Sequence, residues 1–435
     1  MGYGLYLSGF LLLSATTYTL YKIVPRLLEY LQIDENNTGR ENNTGRSGKK
    51  RIGLLTNEIP PIIYGGVSTW IINFMDMFKK SELYEVIPIF LAYNDTDTET
   101  IEQMYKTIRI IRTPNDINEA FRDIDVCVNN LWIALDTIKH VVNKYPNLPI
   151  VSVCHSLIKM EHLTNLGSCY TNNFYEQEIT FQYSDVVVLI SKAEEKYYRE
   201  FGYSKYNAKP VVIYNSFTPK FDDCSVFDNY ECDNVGYIGR HVPRKRPELA
   251  MYGVDKLKRT DIKVYNMGVD YKRYENDYWK ILEIKYKEQL NIIPFTSDKE
   301  VKDEFYRNIG VNCCTGTYEP FGYTLCEVLD RRIPVIVQNI DGPIEIVDKV
   351  KDYVYVYEVD QDIKADIDNF SKALSHFFKV SPEERKQNSE LARKALDTFR
   401  PENIKCYWEE VLDNVEIVDK SDLHMITPIN TLTAY

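Results

Sequence analysis

At 435 residues the chain exceeds what one hydrophobic core supports, since a single core rarely grows past roughly 250 to 300 residues, and it is long enough for two domains and a tail. Its 64 acidic residues against 52 basic ones give a formal net charge of -12, which excludes the broad basic face that nucleic acid needs, so any anionic ligand has to be met by a local basic cluster. The nine Cys are odd in number, and Cys127, Cys154, Cys313, Cys314 and Cys326 fall inside apparent strands or helices without zinc-like paired spacing; this predicts reduced, buried thiols and a folded body facing the cytosol.

Met1 to Tyr21 carries no charged side chain and is about long enough to cross a ~30 Å hydrocarbon layer, which predicts one membrane anchor over residues 1–24. The basic start and Ala-x-Ala site of a cleaved signal peptide are missing. Lys22, Arg26, Arg40, Arg46, Lys49, Lys50 and Arg51 all follow the segment, so the positive-inside rule keeps the remainder cytosolic. Residues 35–46 repeat Glu-Asn-Asn-Thr-Gly-Arg twice with no apolar residue, and 25–50 reads as a flexible linker.

From Arg51 onward, short apolar runs alternate with amphipathic helices, the pattern of parallel α/β sheets. Strands are predicted at Arg51 to Asn57, Glu85 to Ala92, Ile108 to Arg112, Asp125 to Val128, Pro149 to Cys154, Asp185 to Ser191 and Lys209 to Tyr214. A second series runs Asn234 to Gly239, Ile262 to Asn266, Ile292 to Phe295, Val311 to Cys314, Pro334 to Gln338 and Tyr353 to Tyr357. This divides the chain into a Rossmann-like domain over 51–215, a hinge over 216–233, a second Rossmann-like domain over 234–395, and a C-terminal helix and tail over 396–435 returning toward the first domain. Two doubly wound halves put a ligand in the cleft at the carboxyl ends of both sheets.

Four stretches at strand ends carry chemistry. Gly65-Gly66 follows the first strand and opens a helix over Val67 to Phe78, so backbone amides can approach a diphosphate or sugar without a side chain intervening, with Ser68 beside them. His155 closes the strand Pro149 to Cys154 and reads equally as a satisfied structural histidine. Gly239 to Lys245 sets Arg240, Arg244 and Lys245 at another strand end, with Arg244 and Arg246 read as solvated neighbours. Glu319-Pro-Phe-Gly-Tyr-Thr-Leu-Cys-Glu327 follows the strand Val311 to Cys314. The apolar spacing predicts a helix over Tyr323 to Arg332, with Phe321 and Gly322 at its entrance and unpaired N–H groups around Gly322, Tyr323, Thr324 and Leu325. Glu327 can aim both oxygens at a vicinal diol and Glu319 can accept from other hydroxyls. A phosphate flanked by two diols is what a nucleotide-sugar offers. Asp95-Thr96-Asp97 has the Asp-x-Asp form of a metal site but lies in a polar stretch, so it reads as a solvated loop and no metal is assigned.

The spacing of Glu319 and Glu327 around Pro-Phe-Gly resembles the E-x7-E signature of retaining, family-4-like glycosyltransferases of the GT-B fold. The resemblance covers roughly Lys50 to Leu412. It implies that Glu327 holds the nucleotide ribose, that Glu319 contacts the donor sugar, and that Arg240 and Lys245 grip the donor diphosphate. Gly65-Gly66 would be the glycine loop and His155 a cleft histidine, so that His155, Arg240, Lys245 and Glu319 form the catalytic set. The resemblance also implies a nucleotide-sugar donor, an acceptor hydroxyl on a glycan, lipid or protein-linked sugar, and no cofactor. Three stretches depart from the family's pattern: Val-Leu-Asp330-Arg331-Arg332 where small residues are usual, Asp341-Gly342-Pro343 in place of Gly-Gly before Glu345, and Asn215-Ser216. Alternatives are another GT-B activity, such as a sugar-nucleotide epimerase or a phosphorylase, and an inactive nucleotide-sugar-binding module.

Overall fold

The computed structural model describes residues 48–423 except 62–64, 93–95, 131–133, 166–171, 222–227, 270–276, 295, 297 and 421–422. The predicted anchor 1–24 and nearly all of the linker 25–50 lie outside the described residues. Among the described residues no helix is long and apolar enough to cross a membrane.

Seven strands make the first sheet: β1 (Lys50–Thr56), β2 (Tyr84–Leu91), β3 (Arg109–Ile111), β4 (Val126–Asn129), β5 (Ile150–Cys154), β6 (Val186–Leu189) and β7 (Lys209–Val212). Their order is β3-β2-β1-β4-β5-β6-β7, with every pairing parallel. A second sheet contains β8 (Val235–Ile238), β9 (Val264–Val269), β10 (Leu290–Pro294), β11 (Val311–Cys313), β12 (Val335–Gln338) and β13 (Tyr355–Tyr357) in the order β10-β9-β8-β11-β12-β13, again all parallel. Helices cover both faces, which is why β4, β5 and β6 are buried at every position and read as unbroken apolar runs. This is the α/β architecture of the GT-B fold, two doubly wound parallel sheets.

In each sheet the strand order reverses once, between β1 and β4 and again between β8 and β11. Loops diverge at those points and open a crevice at the carboxyl ends. Gly65-Gly66 follows β1, Arg240 and Lys245 follow β8, and Glu319 follows β11, so three of the four predicted stretches leave a strand at a switch point; His155 follows β5, next to β4.

The segment joining the sheets is tied at several points. Phe217 donates its N–H to the Phe399 carbonyl at 2.7 Å, and Lys220 donates its own to Asp330 at 2.7 Å. Arg332 and Arg393 both bond the Phe221 carbonyl at 3.0 Å, and Arg331 lies over the Phe221 and Tyr306 rings. The charged run Asp330-Arg331-Arg332 therefore holds this joining segment through its backbone groups and the Phe221 ring. The helix Pro401–Asn414 crosses back to the helix Gly66–Phe78, where Trp408 meets Trp70 and Phe74 at ring centroid separations of 5.8 and 5.0 Å.

Candidate active site

The loop after β11 is stitched to the turn Pro243–Lys245. Thr317 donates its N–H to the Arg244 carbonyl at 2.7 Å, and the Thr315 hydroxyl bonds the Lys245 carbonyl at 2.7 Å. This brings two predicted residues, 74 apart in sequence, into direct contact: the Lys245 ammonium is bonded to the Glu319 carboxylate. Burial and the guanidinium groups of Arg244 and Arg240 push the Lys245 pKa well below its ordinary value, while Glu161 and Cys314 act in the opposite sense. Arg240, just past the end of β8, is exposed, and its guanidinium acts electrostatically on both Lys245 and Glu58.

Gly322 begins the helix Tyr323–Asp330 at φ +115°, a left-handed conformation natural to glycine, and no side chain caps that helix. Its first-turn amides at Tyr323, Thr324 and Leu325 are among those a helix leaves without an internal partner, so an anion is favoured there. The side chains beside this entrance do other work. The Phe321 ring is buried against Tyr323 and Phe399, and the Tyr323 ring faces Gly66, where an added Cβ would lie 3.7 Å from it. Any contact these two make to an anion falls to the backbone.

Glu327 corrects the expectation that both of its oxygens meet a diol. Lys302 at 3.1 Å and the Tyr306 hydroxyl at 3.3 Å both donate to Oε2, which leaves Oε1 as the oxygen with capacity for a ligand hydroxyl.

Asp341 has φ +52° and is buried; it accepts from the Glu319 N–H at 3.1 Å and from the Tyr197 hydroxyl at 2.7 Å. Burial pushes its pKa up to about 6. Gly342 donates its N–H to the Glu319 carbonyl at 3.1 Å, and a Cβ there would stand 2.4 Å from the Phe321 Cα. The departure Asp341-Gly342 therefore holds both backbone groups of Glu319. Glu345, one turn on, accepts from the N–H groups of Lys192 at 3.0 Å and Ala193 at 2.7 Å, which caps the helix Lys192–Glu200 of the first half from the second.

The expectation that Arg244 and Arg246 are solvated is also corrected. Arg244 is 4 % exposed and bonds the Tyr318 carbonyl at 3.0 Å and Glu161 at 3.1 Å; Arg246 is paired with the fully buried Asp366. Their isolated basic character in sequence gave no sign of these partners.

His155 bonds Asn130 through Nε2 and sets its ring edge-on to Trp70 at 5.2 Å. Burial lowers its pKa to about 3, so the ring is neutral. Two residues later the Leu157 N–H donates to the Tyr318 hydroxyl at 2.8 Å, immediately before Glu319 in the chain, so the His155 loop and the Glu319 loop adjoin. Asp97 N-caps the helix Thr98–Met104 by accepting from Thr100, while its proposed partner Asp95 lies outside the described residues. Sequence reasoning passed over Glu58, Lys302, Tyr306 and Tyr318, none of which carries a spacing signature.

Residues 231–394, the half that contains Arg240, Lys245, Glu319 and Glu327, match the family described as glycosyl transferases group 1. The match spans 164 of the chain's 435 residues. An uncharacterized glycosyltransferase of Methanocaldococcus jannaschii is 22% identical over 345 residues, 72% of this chain and 86% of that protein. Among solved structures, sucrose-phosphate synthase from Thermosynechococcus elongatus superposes with a TM-score of 0.68 at 16% identity, over 84% of this chain and 98% of that one. Anabaena HepE in complex with UDP and glucose does so with a TM-score of 0.64 at 14% identity, over 83% and 99%. At these identities the structural likeness shows the GT-B fold alone.

Proposed function

We propose that the protein is a retaining glycosyltransferase that moves a sugar from a nucleotide-diphospho-sugar to an acceptor hydroxyl on a glycan, lipid or protein-linked sugar. The observation that carries this reading is the Lys245–Glu319 ion pair at the loop that leads into the uncapped helix Tyr323–Asp330, the helix that itself carries Glu327. Glu327 Oε1 takes a ribose hydroxyl, Arg240, Lys245 and the helix entrance take the diphosphate, and Glu319 faces the donor sugar. The relation to HepE, solved with UDP and glucose, adds support for a nucleotide donor.

The chemistry follows from where charge develops. As the bond from the anomeric carbon to the diphosphate oxygen breaks, negative charge grows on that oxygen and fixed cations lower the barrier. The acceptor oxygen bonds to the anomeric carbon on the same face, and its proton passes to the departing phosphate oxygen, so configuration is kept without a protein nucleophile. A neutral His155 fits this scheme as a shaping group rather than a base. With positive charge supplied by Arg240, Lys245 and backbone amides, transfer proceeds without a metal. The test is product analysis by NMR after reaction in EDTA: an inverted anomeric centre removes the retaining mechanism, and loss of transfer restored by Mn²⁺ removes its metal independence.

The same proposal includes tethering through residues 1–24 with the catalytic body on the cytosolic side, supported by the sequence alone. Sensitivity of the full-length chain to endoglycosidase at Asn36 or Asn42 would contradict that orientation.

A further inference from the structure

Glu58 follows β1 in the first half. Its backbone is pinned by the buried Thr56, whose hydroxyl accepts from the Glu58 N–H at 3.0 Å and donates to the Glu58 carbonyl at 3.1 Å. The carboxylate lies against the glycine loop, 3.8 Å from where a Cβ on Gly65 would stand, and accepts from the Ser68 hydroxyl. Across the cleft the Arg240 guanidinium acts on it electrostatically. Half-buried, it loses hydration that one hydroxyl does not replace, and this raises its pKa.

Three other carboxylates described at the site already have protein partners. Glu319 is bonded to Lys245, Glu327 has one oxygen on Lys302 and Tyr306, and Asp341 is shared between Tyr197 and the Glu319 N–H. A carboxylate offers about four acceptor sites, and the Ser68 hydroxyl fills one of them at Glu58. Transfer on one face of the sugar requires the acceptor hydroxyl to stand beside the leaving diphosphate, hence beside Arg240. Arg240 acts electrostatically on Glu58, which places that carboxylate of the first half near this position.

Resting on the transferase reading above, we propose that Glu58 is a specificity-determining residue that binds hydroxyls of a neutral polyhydroxylated acceptor next to the leaving diphosphate, and that it disfavours acceptors bearing phosphate. Its carboxylate draws hydroxyl donors and repels a second anion placed beside the diphosphate, where a basic side chain in its place would do the reverse.

The test follows donor turnover by the full chain with UDP-, GDP- or ADP-glucose, adding D-glucose or glucose 6-phosphate as probes, in wild type, Glu58→Gln and Glu58→Asp. D-glucose raises wild-type turnover more than glucose 6-phosphate does. Glu58→Gln raises the KM for D-glucose about tenfold or more, as expected for a lost hydrogen bond to a charged group, and narrows the preference between the probes. It leaves kcat at saturating D-glucose near wild type and binds the nucleoside diphosphate at least as tightly. Glu58→Asp keeps the charge and falls between the two. Unchanged KM in Glu58→Gln, a wild type that prefers glucose 6-phosphate, or no response to either probe overturns the assignment. Weakened diphosphate binding by Glu58→Gln does so too, by making Glu58 a support for Arg240. A wild type that binds none of UDP, GDP or ADP instead refutes the transferase reading from which the assignment starts.

Discussion

The Lys245 ammonium is bonded to the Glu319 carboxylate, so the cation proposed for the diphosphate and the acid proposed for the sugar hold each other in place. Lys245→Ala then has two effects: it removes a charge that stabilises the leaving group, and it leaves a half-buried Glu319 unpaired. The expected result is a kcat lower by roughly 10² to 10³, the range for one well-aimed stabilising group. Arg240→Ala loses kcat in the same way without disturbing Glu319. Glu319→Ala is expected to abolish transfer by removing the proposed sugar contact, while the Lys245 ammonium it releases keeps affinity for the free nucleoside diphosphate. Steady-state kinetics paired with calorimetry checks this, and Glu319→Ala losing the nucleoside diphosphate would reverse the roles.

Glu327 is oriented by Lys302 and Tyr306 through one oxygen. Lys302→Ala frees Oε2 and lets the carboxylate turn, and we expect nucleoside diphosphate affinity to fall by about tenfold with a smaller loss for Tyr306→Phe, in line with charge-assisted and neutral-donor hydrogen bonds respectively. The loss should appear in KM with kcat retained, because a ribose is held alike in ground and transition states. A kcat effect without a binding effect would place Lys302 on the diphosphate.

Gly342→Ala puts a methyl group 2.4 Å from the Phe321 Cα, a backbone atom that can move only by displacing the Glu319 loop. Overpacking of this kind costs about 1–3 kcal/mol, so the thermal midpoint should drop and transfer should be lost together. Asp341→Asn, which keeps the shape, should lower kcat with little change in the midpoint. An active, fully stable Gly342→Ala protein would show that the loop is not held as described.

Legibility in the sequence divided along physical lines. Every strand from β1 to β13 overlaps a predicted run; the inner strands, buried on both faces, must be apolar and sharply bounded, while the edge strands β3, β7 and β10 are less buried. Gly322 at the entrance of its helix is equally legible, since a helix start is a local feature. What stayed hidden were partners distant in the chain: Arg244 with Glu161, 83 residues apart, and Tyr197 with Asp341, 144 apart. No local pattern distinguishes a buried arginine with a remote acid from a solvated one. In sequence the stretch Asp341-Gly342 is only an irregularity; its two bonds to the Glu319 backbone show what it holds.

Glu194 is fully buried at the seam between the halves, accepting from the Leu157 N–H at 3.2 Å beside Tyr318, and burial raises its pKa from 4.5 to about 8. The folded state therefore holds a proton that the unfolded chain releases. The contribution is whole below about 4.5 and is lost as pH rises through about 8. His155 works in the opposite sense, its contribution being present above 6.5 and lost as pH falls toward about 3. The thermal midpoint of wild type minus that of Glu194→Gln should thus decline between pH 6.5 and 8.5. A difference flat across that window would contradict a neutral Glu194 at the seam.

The central claim, that this cleft holds a nucleotide-sugar through Glu327 and its diphosphate through Arg240 and Lys245, is tested most directly by titration calorimetry of the wild-type chain with UDP, GDP and ADP in EDTA. The account predicts that one of the three binds with one-to-one stoichiometry, and that this binding is lost in Glu327→Ala and weakened in Arg240→Ala and Lys245→Ala. No binding of any of the three by the folded wild type, or binding untouched by all three substitutions, would contradict it.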